Sequence, residues 1–346
     1  MPFSAPPLRV AVCGAGAFGR NHLRVYRELE QQTGAVHLAA ILEVDASRAS
    51  ALVEEWKVPV YDSLDAMLAA RSRGELLLDA ASVCVPTSLH HAVAAPLLQA
   101  GIDLLIEKPI AASESEADDL IALAHGQGRI VQTGHLERFN PAVLAVQPLL
   151  NQPMFFEAHR LSIFTPRALD VDVVLDLMIH DLDIVLSFVA SSVREIHAVG
   201  LPILSSKTDI ANVRLEFASG CVANFTASRV STEQVRKLRF FQPHQYISLD
   251  YARRDVLVID VGAKPASPPA STIPGLPAGL AFNKPPVAPA EPLRLEIESF
   301  LDAVRTRSVP KVSAEDGRAA LALALEINRA IAAHAERAGL KRFCKG

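Results

Sequence analysis

The sequence predicts a doubly wound α/β domain followed by an α+β domain with an open, mostly antiparallel sheet, and three observations carry that expectation. From Leu8 to about Thr133, short apolar runs alternate with longer segments of helical period, the pattern of βαβ units around a parallel sheet. A glycine-rich turn closes the first of those runs. Beyond Pro141 the pattern changes to short strand-like segments separated by turn residues, with one long helical stretch among them. A length of 346 residues suits two domains. The boundary is expected near residue 135, giving domains 1–135 and 136–346, with the closing helices able to pack back on the first.

In the first part, Leu8 to Cys13, His37 to Leu42, Ala81 to Val85, Leu104 to Ile106 and Ile130 to Gln132 read as buried strands. Between them, Ala17 to Gln32, Ser47 to Lys57, Leu89 to Ala100 and Ser113 to His125 have helical period, and Ser113 with Glu116 forms a capping-box pattern. In the second part, seven strands are expected: Met154 to Ile163, Val193 to Gly200, Asn212 to Phe217, Cys221 to Ser228, Val235 to Phe241, Tyr246 to Asp250 and Val256 to Asp260. A helix over Asp170 to Val189 interrupts them. Nine prolines between Pro265 and Pro292 exclude a regular element there and predict an exposed loop. Helices over Leu293 to Thr306 and Ser313 to Ala338 close the chain.

A net charge of −4 with 21% charged residues excludes an electrostatic nucleic-acid binder. The four cysteines, Cys13, Cys84, Cys221 and Cys344, have no C-x-x-C spacing, so neither a zinc site nor a disulfide framework is expected. Met1 to Pro7 lacks the basic head and apolar stretch of a signal peptide, and no run approaches a membrane span. The expected location is the cytoplasm.

The first strand runs into Gly14-Ala15-Gly16-Ala17-Phe18-Gly19 and then a helix, the context that gives a G-x-G-x-x-G pattern its meaning as a dinucleotide-binding Rossmann fingerprint. Gly14 permits the tight turn, Gly16 admits a pyrophosphate against the backbone, and Gly19 lets helix and strand pack. Glu43, ending the second strand, is placed to accept hydrogen bonds from adenosine ribose hydroxyls and to repel a 2′-phosphate. NAD is therefore expected over NADP, with Asp45 a competitor for the role and nearby Arg48 leaving NADP open. Cys84 to His90 follows the third predicted strand at the ligand-binding edge of the sheet. Pro86 and Thr87 are placed against the nicotinamide ribose, with His90 on the same side; the alternative is a helix entry capped by Thr87 or Ser88.

The strand Leu104 to Ile106 ends in Glu107-Lys108-Pro109 at that same edge. Farther on stands Asp176-Leu177-Met178-Ile179-His180-Asp181-Leu182-Asp183. A strand followed by E-K-P, after a Rossmann fingerprint and before this Asp/His pattern, resembles the Gfo/Idh/MocA family of sugar and cyclitol oxidoreductases. Glycines that often precede the later motif are replaced here by Val173-Val174-Leu175. The resemblance implies a catalytic or substrate-orienting Lys108, with Glu107 beside it at the cofactor. Hydride transfer from a secondary alcohol requires removal of the hydroxyl proton, a task for a lysine whose pKa is depressed beside a cationic ring. On one helical face Asp176, His180 and Asp183 would line a polar site, His180 sharing the proton and Asp176 binding a substrate hydroxyl or orienting the imidazole. Asp183 has a structural alternative, and no third ligand is placed for a metal.

Gly134 to Pro141 should lie at the mouth of a cleft, offering His135, Arg138 and Phe139 to a substrate, while Arg160 begins a second polar cluster. Arg138 and Arg160 could each grip a phosphate or carboxylate, or instead form an interdomain ion pair. The run Gly134 to Pro141, with Phe240 to Tyr246, is similar to the subgroup acting on nucleotide sugars, whose members oxidise C3 of UDP-N-acetylglucosamine in the making of amide-linked lipid A. Two alternatives stand beside that implied reaction: dehydrogenation of a free sugar, inositol or dihydrodiol, and a non-catalytic sensor of dinucleotide and sugar. An open sheet needs a cover on its second face, so a homodimer or homotetramer is expected.

Overall fold

The computed structural model describes residues 6–164, 171–262 and 279–340. The first residues of the N-terminal run, the predicted helix start at Asp170, the loop between Pro265 and Ala278, and Cys344 lie outside them. The chain divides into two compact units, one of residues 1–136 and 292–321 and the other of residues 137–291 and 322–346.

The first unit holds a six-stranded parallel sheet of β1 (Leu8–Cys13), β2 (Val36–Leu42), β3 (Val60–Tyr61), β4 (Ala80–Val83), β5 (Asp103–Glu107) and β6 (Val131–Gly134), in the order β3-β2-β1-β4-β5-β6. The sheet reverses direction of growth between β1 and β4, the switch point at which such folds bind ligands. The two-residue β3 was too short to be read from periodicity, as was the weakly amphipathic helix α3 (Leu64–Ser72), which follows α1 (Ala17–Thr33) and α2 (Ala46–Trp56). Helices α4 (His90–Gln99) and α5 (Glu114–Gly126) complete the βαβ units. At the start of α5, Ser113 Oγ accepts from the Glu116 amide at 3.2 Å, and the Glu116 carboxylate accepts from the Ala112 amide at 3.0 Å. Two further amides of the helix entry are thereby satisfied.

One apolar core joins β1, β2 and α1 to α8 (Pro292–Thr306): Val10, Leu23, Tyr26, Leu38, Ile41, Leu105, Ile297, Phe300 and Leu301 are buried in one cluster. The helix near the C-terminus thus belongs to the first core.

In the second unit, α6 (Pro141–Val146) precedes an eight-stranded sheet of β7 (Phe155–Ile163), β8 (Val193–Leu201), β9 (Ile210–Phe217), β10 (Val222–Ser231), β11 (Val235–Gln242), β12 (Gln245–Asp250), β13 (Asp255–Val261) and β14 (Leu280–Asn283). The order is β14-β13-β12-β11-β7-β10-β9-β8, and only β7 with β10 is parallel. The strand β14 corrects the expectation that Pro265 to Pro292 contains no regular element: Leu280–Asn283 is a proline-free tetrapeptide and pairs with β13. Alternation buries Val213, Leu215, Phe225, Phe240 and Ile247 on one face, where Phe156 and Phe240 stack at 5.2 Å between centroids.

The predicted helix over Asp170 to Val189 is also corrected. Val174–Met178 form a π-helical turn, and the α-helix proper, α7, spans Ile179–Val189. The last helix, α9, spans Ala314–Arg337. No described helix is long and apolar enough to cross a membrane.

Candidate active site

The glycine loop has the geometry that a dinucleotide requires. Gly14 has φ +89°, and a side chain there would meet the Cys84 backbone at 2.9 Å. A Cβ on Gly19 would stand 1.9 Å from the Gly14 carbonyl oxygen, so only glycine lets α1 begin so close to β1. At Gly16 a Cβ would meet nothing within 4 Å, which leaves open space over the loop. Gly16 is the N-cap of α1 and gives no side-chain hydrogen bond, so the first amides of that helix face the open space uncapped. Ala17 and Phe18 are the first residues of the helix.

Glu43, immediately after β2, is almost fully buried, with the Ala15 amide on Oε2 at 3.1 Å and the Asp45 amide on Oε1 at 2.9 Å. Arg48 Nη2 reaches the same Oε1 at 3.0 Å. Burial would raise the Glu43 pKa, but the hydrogen bonds from Arg48 and the two amides outweigh it and hold the carboxyl below its usual range. The anion is therefore fixed against the glycine loop. Asp45, the competitor named from sequence, instead caps α2 by accepting from the Arg48 amide at 2.9 Å.

At the sheet's C-terminal edge, Pro86 precedes a 3₁₀ turn over Thr87–Leu89, and the N-cap of α4 is Leu89, without a side-chain hydrogen bond. The capping alternative for Thr87 and Ser88 therefore gives way. His90 is buried, its Nδ1 2.8 Å from the Pro109 carbonyl and its Nε2 2.9 Å from the Val85 carbonyl. Its side chain ties α4 to the turn after Lys108. Burial lowers the His90 pKa, against the raising effect of the two carbonyls. The unfolded chain then takes up this proton first as pH falls, so the contribution to stability is lost from about pH 6.5 downward. His90→Gln, which keeps one donor but cannot titrate, is expected to show a shallower fall in Tm between about pH 7 and pH 5 than the parent, as followed by thermal melts. Equal slopes would remove His90 from the acid response.

Lys108 follows the last residue of β5 and is half-buried. The preceding Glu107 points to the α1 side, its Oε1 3.0 Å from His22 Nε2.

In the second unit, Asp176 and His180 are both half-buried. Asp176 lies in the π-helical turn and His180 in the first turn of α7, so the single α-helical face predicted for Asp176, His180 and Asp183 is kept only by the last two. Asp183 is buried, 3.7 Å from Arg138. Arg160 is also buried: its Nε and Nη2 donate to Asp181 at 2.7 and 2.9 Å, and its Nη1 donates to Glu137 at 3.0 Å. Its guanidinium lies over the Tyr251 ring at 5.1 Å. Burial would lower the Arg160 pKa, but Asp181 and Glu137 more than reverse it.

Arg160 is therefore ion-paired, but within the second unit and not between the domains as expected, because both partner carboxylates belong to the same unit. Asn140 extends the network, donating to Glu137 at 2.9 Å and to the Tyr251 carbonyl at 3.1 Å. The run read as a cleft mouth is mostly interior, since His135, Glu137, Phe139 and Asn140 are all buried. Asp181, Glu137 and Tyr251 were not singled out from sequence. For Asp181 the signal was a charge beside Ile179, Leu182 and Ile184, whereas Glu137 stood among other polar residues and Tyr251 carries no charge, and their shared partner Arg160 lay in a separate strand.

A dinucleotide loop, a lysine at the ligand edge of the same sheet and a second unit with a half-buried histidine and aspartate define an oxidoreductase of two-domain type. Residues 8–135 match the model "Oxidoreductase family, NAD-binding Rossmann fold", and residues 145–242 match the "GFO/IDH/MocA C-terminal domain". The chain belongs to the Gfo/Idh/MocA family of oxidoreductases. It is similar to the UDP-N-acetylglucosamine 3-dehydrogenase of Acidithiobacillus ferrooxidans, with 35% identity over 331 residues, 95% of this chain and 99% of that one. The solved structure of the A. ferrooxidans dehydrogenase superposes with a TM-score of 0.85 at 34% identity, covering 94% of this chain and 98% of the other. An inositol 2-dehydrogenase of Corynebacterium glutamicum is 32% identical over 136 residues, 39% of this chain and 38% of that protein.

Proposed function

We propose that this protein oxidises a secondary alcohol of a nucleotide sugar with NAD, namely C3 of UDP-N-acetylglucosamine to the 3-keto sugar. The observation that carries the substrate is the similarity over nearly the whole of both chains to a dehydrogenase named for that reaction. Identity to inositol dehydrogenases is lower and supports the chemistry more than the substrate.

The nicotinamide, when bound, supplies the hydride acceptor. Gly14, Gly16 and Gly19 with the first amides of α1 hold the pyrophosphate, and Pro86 and Thr87 flank the nicotinamide ribose. Glu43 keeps acceptor capacity for the adenosine ribose, because two amides and one guanidinium use three of roughly four lone-pair positions. Its negative charge disfavours a 2′-phosphate, and the pairing of Arg48 with Glu43 withdraws the cation that would favour one. Lys108 accepts the hydroxyl proton, His180 shares it, and Asp176 binds a neighbouring hydroxyl; Arg138 is assigned to the substrate side. The same reading places the enzyme in the cytoplasm as a homo-oligomer. The second-unit sheet would supply the contact, through the face that carries Arg214, Lys237, Arg239 and Phe241.

The test is spectrophotometric. Incubation with UDP-N-acetylglucosamine and NAD is expected to yield NADH in proportion to 3-keto sugar, with NADP giving a lower kcat/KM. Turnover of free inositol without turnover of the nucleotide sugar would overturn the substrate assignment. Binding of both ligands without NADH formation would favour the sensor.

A further inference from the structure

Beneath the lysine, the first unit contains a buried polar cluster with no part in the chemistry described above. Glu296 of α8 is fully buried, and neither carboxyl oxygen has a hydrogen-bond partner among the described residues. One of its oxygens lies within 4.8 Å of both a Glu107 carboxylate oxygen and a ring nitrogen of His22. His22, also fully buried, bonds Glu107 through Nε2 at 3.0 Å and meets Ser82 Oγ through Nδ1 at 3.1 Å. Ser82 Oγ in turn lies 2.8 Å from the Tyr26 hydroxyl.

One arrangement of donors and acceptors satisfies every contact in the cluster. With Tyr26 donating to Ser82 and Ser82 to His22 Nδ1, a neutral His22 donates from Nε2 to Glu107. Glu107 then carries the single negative charge of the cluster. A second, unpaired carboxylate at Glu296 would be a buried charge without compensation, which proteins avoid by keeping the proton. Burial, and next the charge of Glu107, push the Glu296 pKa well above the usual carboxylate range. Near it, Cys84 just after β4 and Tyr26 on α1 are uncharged, and Gln132 on β6 donates from Nε2 to the Glu296 main-chain carbonyl at 3.0 Å.

We propose that Glu296 is a neutral buried acid whose proton faces Glu107, directly or through one water, and that it is a positioning residue for Lys108. The proposal rests on the oxidoreductase reading of Lys108. Glu107 immediately precedes Lys108, and its side chain is held from three sides: by His22 of α1, by Glu296 of α8, and by close packing over Gly134 of β6. A Cβ at Gly134 would fall 2.8 Å from Glu107 Oε1. The end of β5 is thus anchored on one face of the sheet while the lysine leaves it. Because His22 lies on the helix that begins at the glycine loop, the same anchor joins the cofactor loop to the lysine.

Infrared spectroscopy of the full chain at about pH 8, where exposed carboxyls are ionised, is expected to show the carbonyl stretch of one protonated carboxylic acid, lost in Glu296→Gln. A spectrum without that band overturns the proposal, and this readout needs no substrate. Glu296→Leu, which removes the donor, is expected to lower kcat about tenfold, the factor of one hydrogen bond to a charged group. Its KM for the sugar should stay within about twofold. Glu296→Gln, which keeps a donor, should restore most of the kcat. The rate at which an amine-selective reagent labels Lys108, read by peptide mass spectrometry, should change in the Leu variant and recover in the Gln variant. Labelling unchanged in the Leu variant overturns the positioning role even if no substrate is turned over. One equivalent of divalent metal per chain, lost in Glu296→Gln, would make the cluster a metal site instead and would also overturn it.

Discussion

Lys108→Ala is expected to lower kcat by about 10²–10⁴-fold, the range for removing a positioned general base, while NAD affinity stays within a few-fold. The contrast follows from where the two functions sit. In the proposed function the dinucleotide is held by the glycine loop between β1 and α1, the start of α1, and Glu43 just after β2. The lysine enters from the end of β5, two strands from β1 in the sheet. Under the proposed mechanism, truncating it removes the proton acceptor and leaves the loop intact. Stopped-flow NADH absorbance under single-turnover conditions, with cofactor affinity from titration of protein fluorescence, separates the effects. Turnover within about threefold of the parent would take Lys108 out of the proton transfer.

The second large effect concerns stability. Arg160→Ala is expected to destabilise the protein by about 3–5 kcal/mol, because deleting one member of a buried ion pair leaves its partners charged and unsolvated. Asp181 would lose two donors, and Glu137 one. Exposed pairs such as Lys57 with Glu54 carry no comparable penalty. Urea denaturation with separate probes for the two units measures the loss. If Arg160 gripped an anionic group of the substrate instead, the variant would raise KM and keep its denaturation midpoint. That pattern would return Arg160 to the binding surface.

What the sequence disclosed depended on whether a feature was local. Gly14 and Gly19 were interpretable because the tight turn and the strand-helix contact arise within one strand-turn-helix unit, and they reappear as a positive φ and a 1.9 Å approach, while at Gly16 the structure leaves open space. The seven longer strands of the second sheet were legible from period-two alternation, although their order was not. Parallel pairing of β7 with β10 places strands together that are separated by a helix and two other strands. The π-helical turn at Val174–Met178 was hidden because its residues have the same apolar pattern as an α-helix. Long-range pairing was the main loss. Arg160 and Asp181 are 21 positions apart, and His22 and Glu107 are 85 apart. Nothing in either local segment distinguishes a histidine aimed at a buried carboxylate from one that simply fills a helix face.

The apolar core that joins α1 and β2 to α8 also orders events during synthesis. The first unit is not complete when residue 136 leaves the ribosome, because Ile297, Phe300 and Leu301 have not yet been made. Until then Leu23, Leu38 and Ile41 lack the apolar surface that will cover them. The second unit's sheet is translated in that interval, so its strands emerge before the dinucleotide fold can close. An N-terminal fragment ending near residue 136 would therefore keep its glycine loop and remain sticky.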